Sequence, residues 1–146
     1  MAEEKKFPVR LKVKTTIYHG KDKQTMELTT FGTFYKKENA DFLQYDEVME
    51  EVGTVATTLK LTANDAVIMR SGAIKMNLPL QKHKKRLGRY IAPYGNFELE
   101  TSTSQYNYLL NEQSGTIDLL YDLTMQGQKS GQFLLSIEFK EDKQSE

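Results

Sequence analysis

Cysteine is absent from the 146 residues, which removes disulfides, thiolate metal ligands and thiol nucleophiles together. Histidine is scarce: His19 falls at a predicted turn and His83 in a basic loop, with no second histidine or carboxylate at ligand spacing. No metal site and no cofactor are expected. Net charge is also missing, with Lys+Arg and Asp+Glu both 20, which argues against a whole surface built to grip polyanions. No run approaches the ~18 consecutive apolar residues of a membrane span. Residues 1–6 are charged with no apolar stretch behind them, so no secretory signal is expected and the predicted setting is soluble and cytoplasmic. The chain has no glycine-rich loop ahead of a helix and no Gly-x-Ser-x-Gly. Ser71, Ser114 and Ser130 each precede a glycine in a predicted turn, and Asp118 and Asp122 share a strand face as on any solvated sheet. No catalytic residue emerges, and an enzyme is disfavoured.

What the chain does contain is alternation. Hydrophobic residues at 38% against 27% charged describe one folded domain, with a core over about 8–140 and frayed charged ends at 1–6 and 141–146. Val9, Leu11, Val13 and Ile17 alternate with polar neighbours, as do Val55, Leu59 and Leu61. The same holds for Ile74, Met76, Leu78 and Leu80, for Ile117 through Met125, and for Phe133 through Phe139. A period of two, apolar on one face and wet on the other, marks antiparallel strands. Turn residues punctuate these runs at Gly20-Lys21-Asp22, Lys37-Glu38-Asn39, Asn64-Asp65, Ser71-Gly72, Pro93-Tyr94-Gly95-Asn96, Ser114-Gly115 and 127–131. Only 46–53 has room for a helical turn. The fold class is therefore all-β, a closed antiparallel up-and-down barrel of about eight to ten strands, because closure removes the edges a long meander would leave.

Register decides which side chains line the interior. A four-residue loop at Pro93-Tyr94-Gly95-Asn96 pairs Tyr90 with Leu99 and turns Tyr90 inward. A three-residue loop would bury Arg89, at several kcal/mol. For the stretch from Leu59 to Leu80 two readings exist: either Ala66 and Ile68 face in, or Val67 and Met69 do. Gly72 suits the left-handed position of a three-residue loop at Arg70-Ser71-Gly72, which favours the first. Arg70 then lies in the turn or on the outer wall.

Two features stand out. Lys82-His83-Lys84-Lys85-Arg86, followed by Arg89, is the densest charge cluster, with Tyr90 and Tyr94 available to stack on bases. A solvated hairpin loop is the better reading of so short a run on a neutral protein, so nucleic acid is disfavoured as a partner. The tyrosines are more suggestive: Tyr90 and Tyr121 fall on inward faces, and Tyr106 and Tyr108 share a face with Leu110. Buried phenols need partners, either backbone and water at a barrel rim or a small amphiphilic ligand inside.

Arg70-Ser71-Gly72, the later Tyr90-x-x-Pro93-Tyr94-Gly95 and Tyr121, preceded by Tyr45-x-Glu47 and Gly53, resemble the YwiB-like bacterial proteins in order and spacing over roughly 9–140. The resemblance implies a calycin-like β-barrel in a bacterial cytoplasm and singles out Arg70 and Glu47. It brings no function with it. The wider calycin group, which includes lipocalins and fatty-acid-binding proteins, suggests a lumen ligand by analogy of fold. The chain has no Trp, hence no lipocalin Gly-x-Trp signature.

Three functions follow as expectations. The first is a barrel holding a small apolar or amphiphilic ligand, with Tyr90, Tyr121, Tyr106, Tyr108, Arg70 and Glu47 as candidate ligand-binding residues. The second is a filled barrel whose outer wall binds a protein or a second copy, as a homodimer, through outward Leu43, Val67, Ile91, Leu109, Leu120 and Leu134. The third is weak RNA binding through the basic 82–89 segment. Arg70 and Glu47 are expected to form a structural ion pair, or hydrogen bonds to loop carbonyls, near the barrel rim.

Overall fold

The structure, a computed structural model, describes residues 6–143. Ten strands follow one another: β1 (Lys6–His19), β2 (Asp22–Lys37), β3 (Ala40–Met49), β4 (Gly53–Leu61), β5 (Asp65–Gly72), β6 (Lys75–Gln81), β7 (Lys85–Ala92), β8 (Gly95–Leu110), β9 (Ser114–Met125) and β10 (Gln128–Glu141). Each pairs antiparallel with its sequence neighbours, and β1 also pairs with β10, closing the barrel. No helix occurs among the described residues. The 46–53 stretch, predicted to have room for a helical turn, is the end of β3, a tight turn with Glu51 at φ 65°, and the start of β4. The ladders also reach further than the predicted core. Lys6 pairs with Tyr35 and Glu141 with Val9, so neither is frayed; residues 1–5 and 144–146 lie outside the described residues.

The alternation translates directly into burial. Val9, Leu11, Leu59, Ile117 and Leu119 are all fully buried and point into the barrel, each contributing about 1.5–3 kcal/mol by leaving water. Ala66 and Ile68 face in, as the favoured register has it. Tyr90 faces in and Arg89 is exposed, but the loop between β7 and β8 is shorter than predicted: Ala92 pairs with Gly95 and Tyr90 with Phe97. Gly95, at φ 155°, lets the ladder begin two residues earlier, which leaves the facing of every side chain unchanged.

The same parity rule overturns two other expectations. Arg70 is neither in a turn nor on the outer wall. Strand β5 continues to Gly72, which pairs with Val55 at φ 111°, so Arg70 follows Ala66 and Ile68 onto the inner face. A Cβ on Gly72 would stand 2.8 Å from the Thr54 carbonyl oxygen, so the glycine allows this longer pairing. Leu43 is not outward either: it is fully buried, paired with Phe34 and Leu59, on the same face as Tyr45 and Glu47.

The barrel has two unlike ends. At one end lie the β2–β3, β4–β5, β6–β7 and β8–β9 turns. Phe7, Phe34 and Phe139 plug it, with ring centroids 5.3 and 5.2 Å apart. The other end carries the remaining five hairpins. There the β2–β3 ladder runs only from Gly32↔Tyr45 to Lys37↔Ala40. The first half of β2 therefore pairs with β1 alone, and residues 46–49 of β3 with β4 alone. The two strands part beyond Gly32, where the backbones are so close that a Cβ would fall 2.1 Å from the Gln44 carbonyl oxygen.

Candidate ligand-binding lumen

Below the open end the barrel is hollow. A cavity of about 660 Å³ occupies its upper half, within the range of small-molecule sites. Its wall is mainly apolar, with Leu59, Ile68, Met76, Leu78, Leu123 and Phe133 among the lining side chains. A larger hollow of about 1130 Å³ lies along the outer wall and lower rim, but outward-facing, solvated Arg10, Lys12, Glu138 and Lys140 line it. It lacks the convergent buried groups of the lumen.

One polar cluster interrupts the apolar wall. Three neighbouring strands each carry a polar residue on the inner face: Glu47 on β3, Thr57 on β4 and Arg70 on β5. Thr57 and Arg70 share one row of the ladder with Tyr45 on β3, and Glu47 stands one inward position nearer the open end. Thr57 pairs directly with Arg70 across the ladder. Its hydroxyl donates to Glu47 Oε1 at 3.0 Å, and Arg70 Nη2 lies 3.3 Å from that same oxygen. The Arg70 and Glu47 side chains are 26% and 24% exposed, so the pair contributes about 1 kcal/mol or less net. Arg70 Nε is buried and has no acceptor.

Three tyrosines complete the cluster. Burial, reinforced by the Glu47 carboxylate, holds the Tyr45 phenol well above its ordinary pKa. Burial also pushes Tyr121 up to about 12, with Arg70 pulling the other way. Both phenols are neutral donors throughout the physiological range, and neither hydroxyl has a hydrogen-bond partner among the described residues. Tyr121 is held flat against Phe133, its cross-strand neighbour, with centroids 5.4 Å apart and planes 9° apart. Tyr90 sits nearer the mouth, its hydroxyl 3.3 Å from that of Tyr94; this bond raises its pKa first and desolvation second.

The six sequence-predicted residues divide. Tyr90, Tyr121, Arg70 and Glu47 line the cavity. Tyr106 and Tyr108 do not: they lie toward the plugged end with their hydroxyls already committed. Tyr106 donates to the Thr62 carbonyl at 2.5 Å and Tyr108 to Asp41 Oδ2 at 2.7 Å. Burial is the main cause raising both phenols, helped by Asp65 and Asp41 at Tyr106 and by the Asp41 hydrogen bond at Tyr108. The bulge at Ser104, between Thr103 and Gln105, moves the inward face of β8 from odd to even positions, from Thr103 to Tyr106. Arg70 and Glu47 do form the expected ion pair, but they converge on the cavity. Sequence reasoning passed over Thr57, and reached Tyr45 only through the family resemblance. Their signal was there, because Thr57 fills the inward gap between Val55 and Leu59, and Tyr45 sits midway between Leu43 and Glu47.

The exposed basic segment 82–86 lies at the plugged end. Tyr90 and Tyr94 belong to the other end of β7, so the predicted stacking platform beside the basic loop does not form. Of the six residues proposed for an outer interface, Leu109 is 71% exposed and Ile91 36%, while Val67, Leu120 and Leu134 are half-buried. Among the described residues no group of histidine and carboxylate side chains is arranged to hold a metal ion.

A closed ten-stranded meander, plugged at one end and hollow at the other, defines a β-barrel protein with an accessible lumen. The chain belongs to the family described as Domain of unknown function (DUF1934), which residues 11–137 match. It is similar to the uncharacterized beta-barrel protein YwiB of Bacillus subtilis (strain 168), 34% identical over 116 residues, covering 80% of this chain and 81% of the relative. The crystal structure of that bacterium's ywiB protein has the same fold, with a TM-score of 0.84 and 29% identity over 94% of this chain and 93% of the other.

Proposed function

We propose that this chain is a non-enzymatic, cytoplasmic, calycin-like binding protein whose barrel lumen holds a small apolar or amphiphilic molecule. The observation that carries the reading is the half-empty interior: about 660 Å³ of apolar-walled space with one polar cluster set into it. A barrel kept only as a scaffold has no use for an ion pair and free phenols facing a void, since buried polar groups without partners are destabilising. The gap between β2 and β3 provides a way in. Outer-wall association is less well supported, because of its six residues Leu43 belongs to the core and only Ile91 and Leu109 are exposed, at opposite ends of the barrel.

The test is binding of the neutral fluorophore N-phenyl-naphthylamine to the purified protein and to Met76→Trp, which places an indole in the cavity. Saturable fluorescence enhancement in the unmodified protein, lost in a folded Met76→Trp, is the expected outcome. No enhancement, or equal enhancement in both, overturns the lumen reading.

A further inference from the structure

The polar cluster also constrains what the ligand's head group is, provided the lumen reading holds. We infer that the lumen selects an uncharged carbonyl-bearing chain, such as an acyl ester, over the corresponding free acid.

The cluster is rich in donors and poor in acceptors. A guanidinium brings five N–H groups. At Arg70 one nitrogen faces Glu47, and Nε has no acceptor at all. Tyr45 and Tyr121 add two hydroxyls with no hydrogen-bond partner. On the acceptor side, Glu47 Oε1 already takes both Thr57 and Arg70, and Oε2 alone cannot satisfy the remaining Arg70 N–H groups and two phenols. A ligand that completes this set brings an acceptor oxygen.

Charge then discriminates between acceptors. Glu47 neutralises Arg70 before any ligand arrives, so the cluster offers no net positive charge. A carboxylate entering it would be attracted to Arg70 and repelled by Glu47 from nearly the same distance, and the two terms largely cancel. It would still lose its hydration to an apolar cavity. An ester or amide carbonyl takes the same hydrogen bonds without that loss. Glu47 thus acts as the selectivity element, and Arg70 as the donor that binds either head.

Any apolar cavity favours an ester to some degree, so the decisive quantity is how the preference changes in variants. Methyl decanoate and decanoic acid are compared as displacers of N-phenyl-naphthylamine at pH ~8, where the acid is ionised. In the unmodified protein the ester is expected to displace the dye at roughly ten-fold lower concentration or better. Glu47→Gln leaves Arg70 uncompensated, and should tighten the acid roughly ten-fold while moving the ester less than about two-fold. Arg70→Met should weaken the ester roughly five-fold or more, and gives a separate reading if Glu47→Gln does not fold. An acid that binds as tightly as the ester in the unmodified protein overturns the inference. So does an acid-to-ester ratio unmoved by Glu47→Gln, or an ester indifferent to Arg70→Met. A dye that never enters the lumen overturns the lumen reading itself, whereas a dye that binds and is displaced preferentially by the acid overturns only the head-group assignment.

Discussion

Thr57 stands directly opposite Arg70 in the β4–β5 ladder, and both reach the same carboxylate oxygen of Glu47, one by a hydroxyl at 3.0 Å and the other by a guanidinium nitrogen at 3.3 Å. Thr57 is almost completely buried, so its hydroxyl has no water to fall back on. Thr57→Val keeps the shape and removes only that donor. Burying a hydroxyl that makes one hydrogen bond is worth about 1 kcal/mol, so the variant should unfold in urea with ΔG lowered by roughly 0.5–1.5 kcal/mol. An unchanged midpoint would mean that the Glu47 carboxylate finds an equivalent donor elsewhere.

Most of this architecture is legible in the sequence because facing has a period of two, broken only where a bulge intervenes, as at Ser104 in β8. The β5–β6 and β7–β8 registers differ from expectation by an even number of residues, so Ala66, Ile68 and Tyr90 keep their inward faces even where the pairing shifts. The polar cluster was harder to see for the same physical reason that it matters. Glu47, Thr57 and Arg70 occupy inward positions in three successive strands; a rule that sends charge outward puts Arg70 in a turn or on the outer wall, and the polar Thr57 between Val55 and Leu59 goes unnoticed. Following the parity of Leu43-x-Tyr45, Val55 to Leu59 and Ala66-x-Ile68 without that rule places all three inside. Nothing local in the sequence distinguishes Tyr106 and Tyr108 from Tyr121. Their separation depends on which end of the barrel is plugged, a property of ten strands together.

The plug at the closed end should set stability and leave the lumen alone. Phe139 is 2% exposed and stacks on Phe34 with planes 20° apart. Phe139→Leu shortens that contact and leaves a small cavity, and should lower unfolding free energy by about 1–3 kcal/mol. Dye affinity should stay within about two-fold, since Phe139 lies outside the residues that line the upper cavity. A large loss of dye binding in a folded Phe139→Leu would show that the two halves of the barrel are coupled.

Gly32 is where β2 and β3 come together before they part. An added methyl would meet the Gln44 carbonyl oxygen at 2.1 Å and the Leu11 side chain at 3.1 Å, and the paired Gln44 backbone has little room to give. Gly32→Ala should therefore destabilise by about 1–3 kcal/mol or more through strain in this short ladder. Amide hydrogen exchange at residues 33–36 should accelerate more than at β9 or β10. Uniform acceleration across the barrel would indicate global loosening instead of a local opening of the seam.

Alkaline pH should destabilise the fold through its buried phenols. Near neutrality Tyr121 is protonated in both the folded and the unfolded chain, and its titration affects neither. Above pH ~10 the unfolded chain ionises first. The folded chain holds its proton until about 12, because burial disfavours the phenolate. Stability is thus complete below pH ~10 and falls as pH rises through the folded value, by about 2–3 kcal/mol for this one group. Urea midpoints taken at pH ~8 and ~11 should differ, and the difference should shrink in Tyr121→Phe. An identical pH dependence in that variant would assign the alkaline loss to other groups.

Tyr106 and Tyr108 supply the complementary test, because they share a residue type with Tyr121 and differ in what their hydroxyls do. Tyr106 caps the Thr62 carbonyl at the β4–β5 turn, and Tyr108 bonds the Asp41 carboxylate, which also lies 3.6 Å from Lys36 Nζ. Both bonds tie β8 across the barrel interior to strands on the far side. Tyr106→Phe leaves a part-buried carbonyl without its donor and should cost about 1 kcal/mol. Tyr108→Phe removes a bond to a charged acceptor, worth more in principle, but Lys36 and water remain to compensate Asp41, so a similar loss of about 1 kcal/mol is expected. Neither should shift dye affinity by more than about two-fold, whereas Tyr121→Phe alters a hydroxyl inside the lumen. If Tyr106→Phe or Tyr108→Phe weakened dye binding as strongly as Tyr121→Phe, the ligand would have to extend into the plugged end, and the boundary drawn between the two halves of the barrel would be wrong.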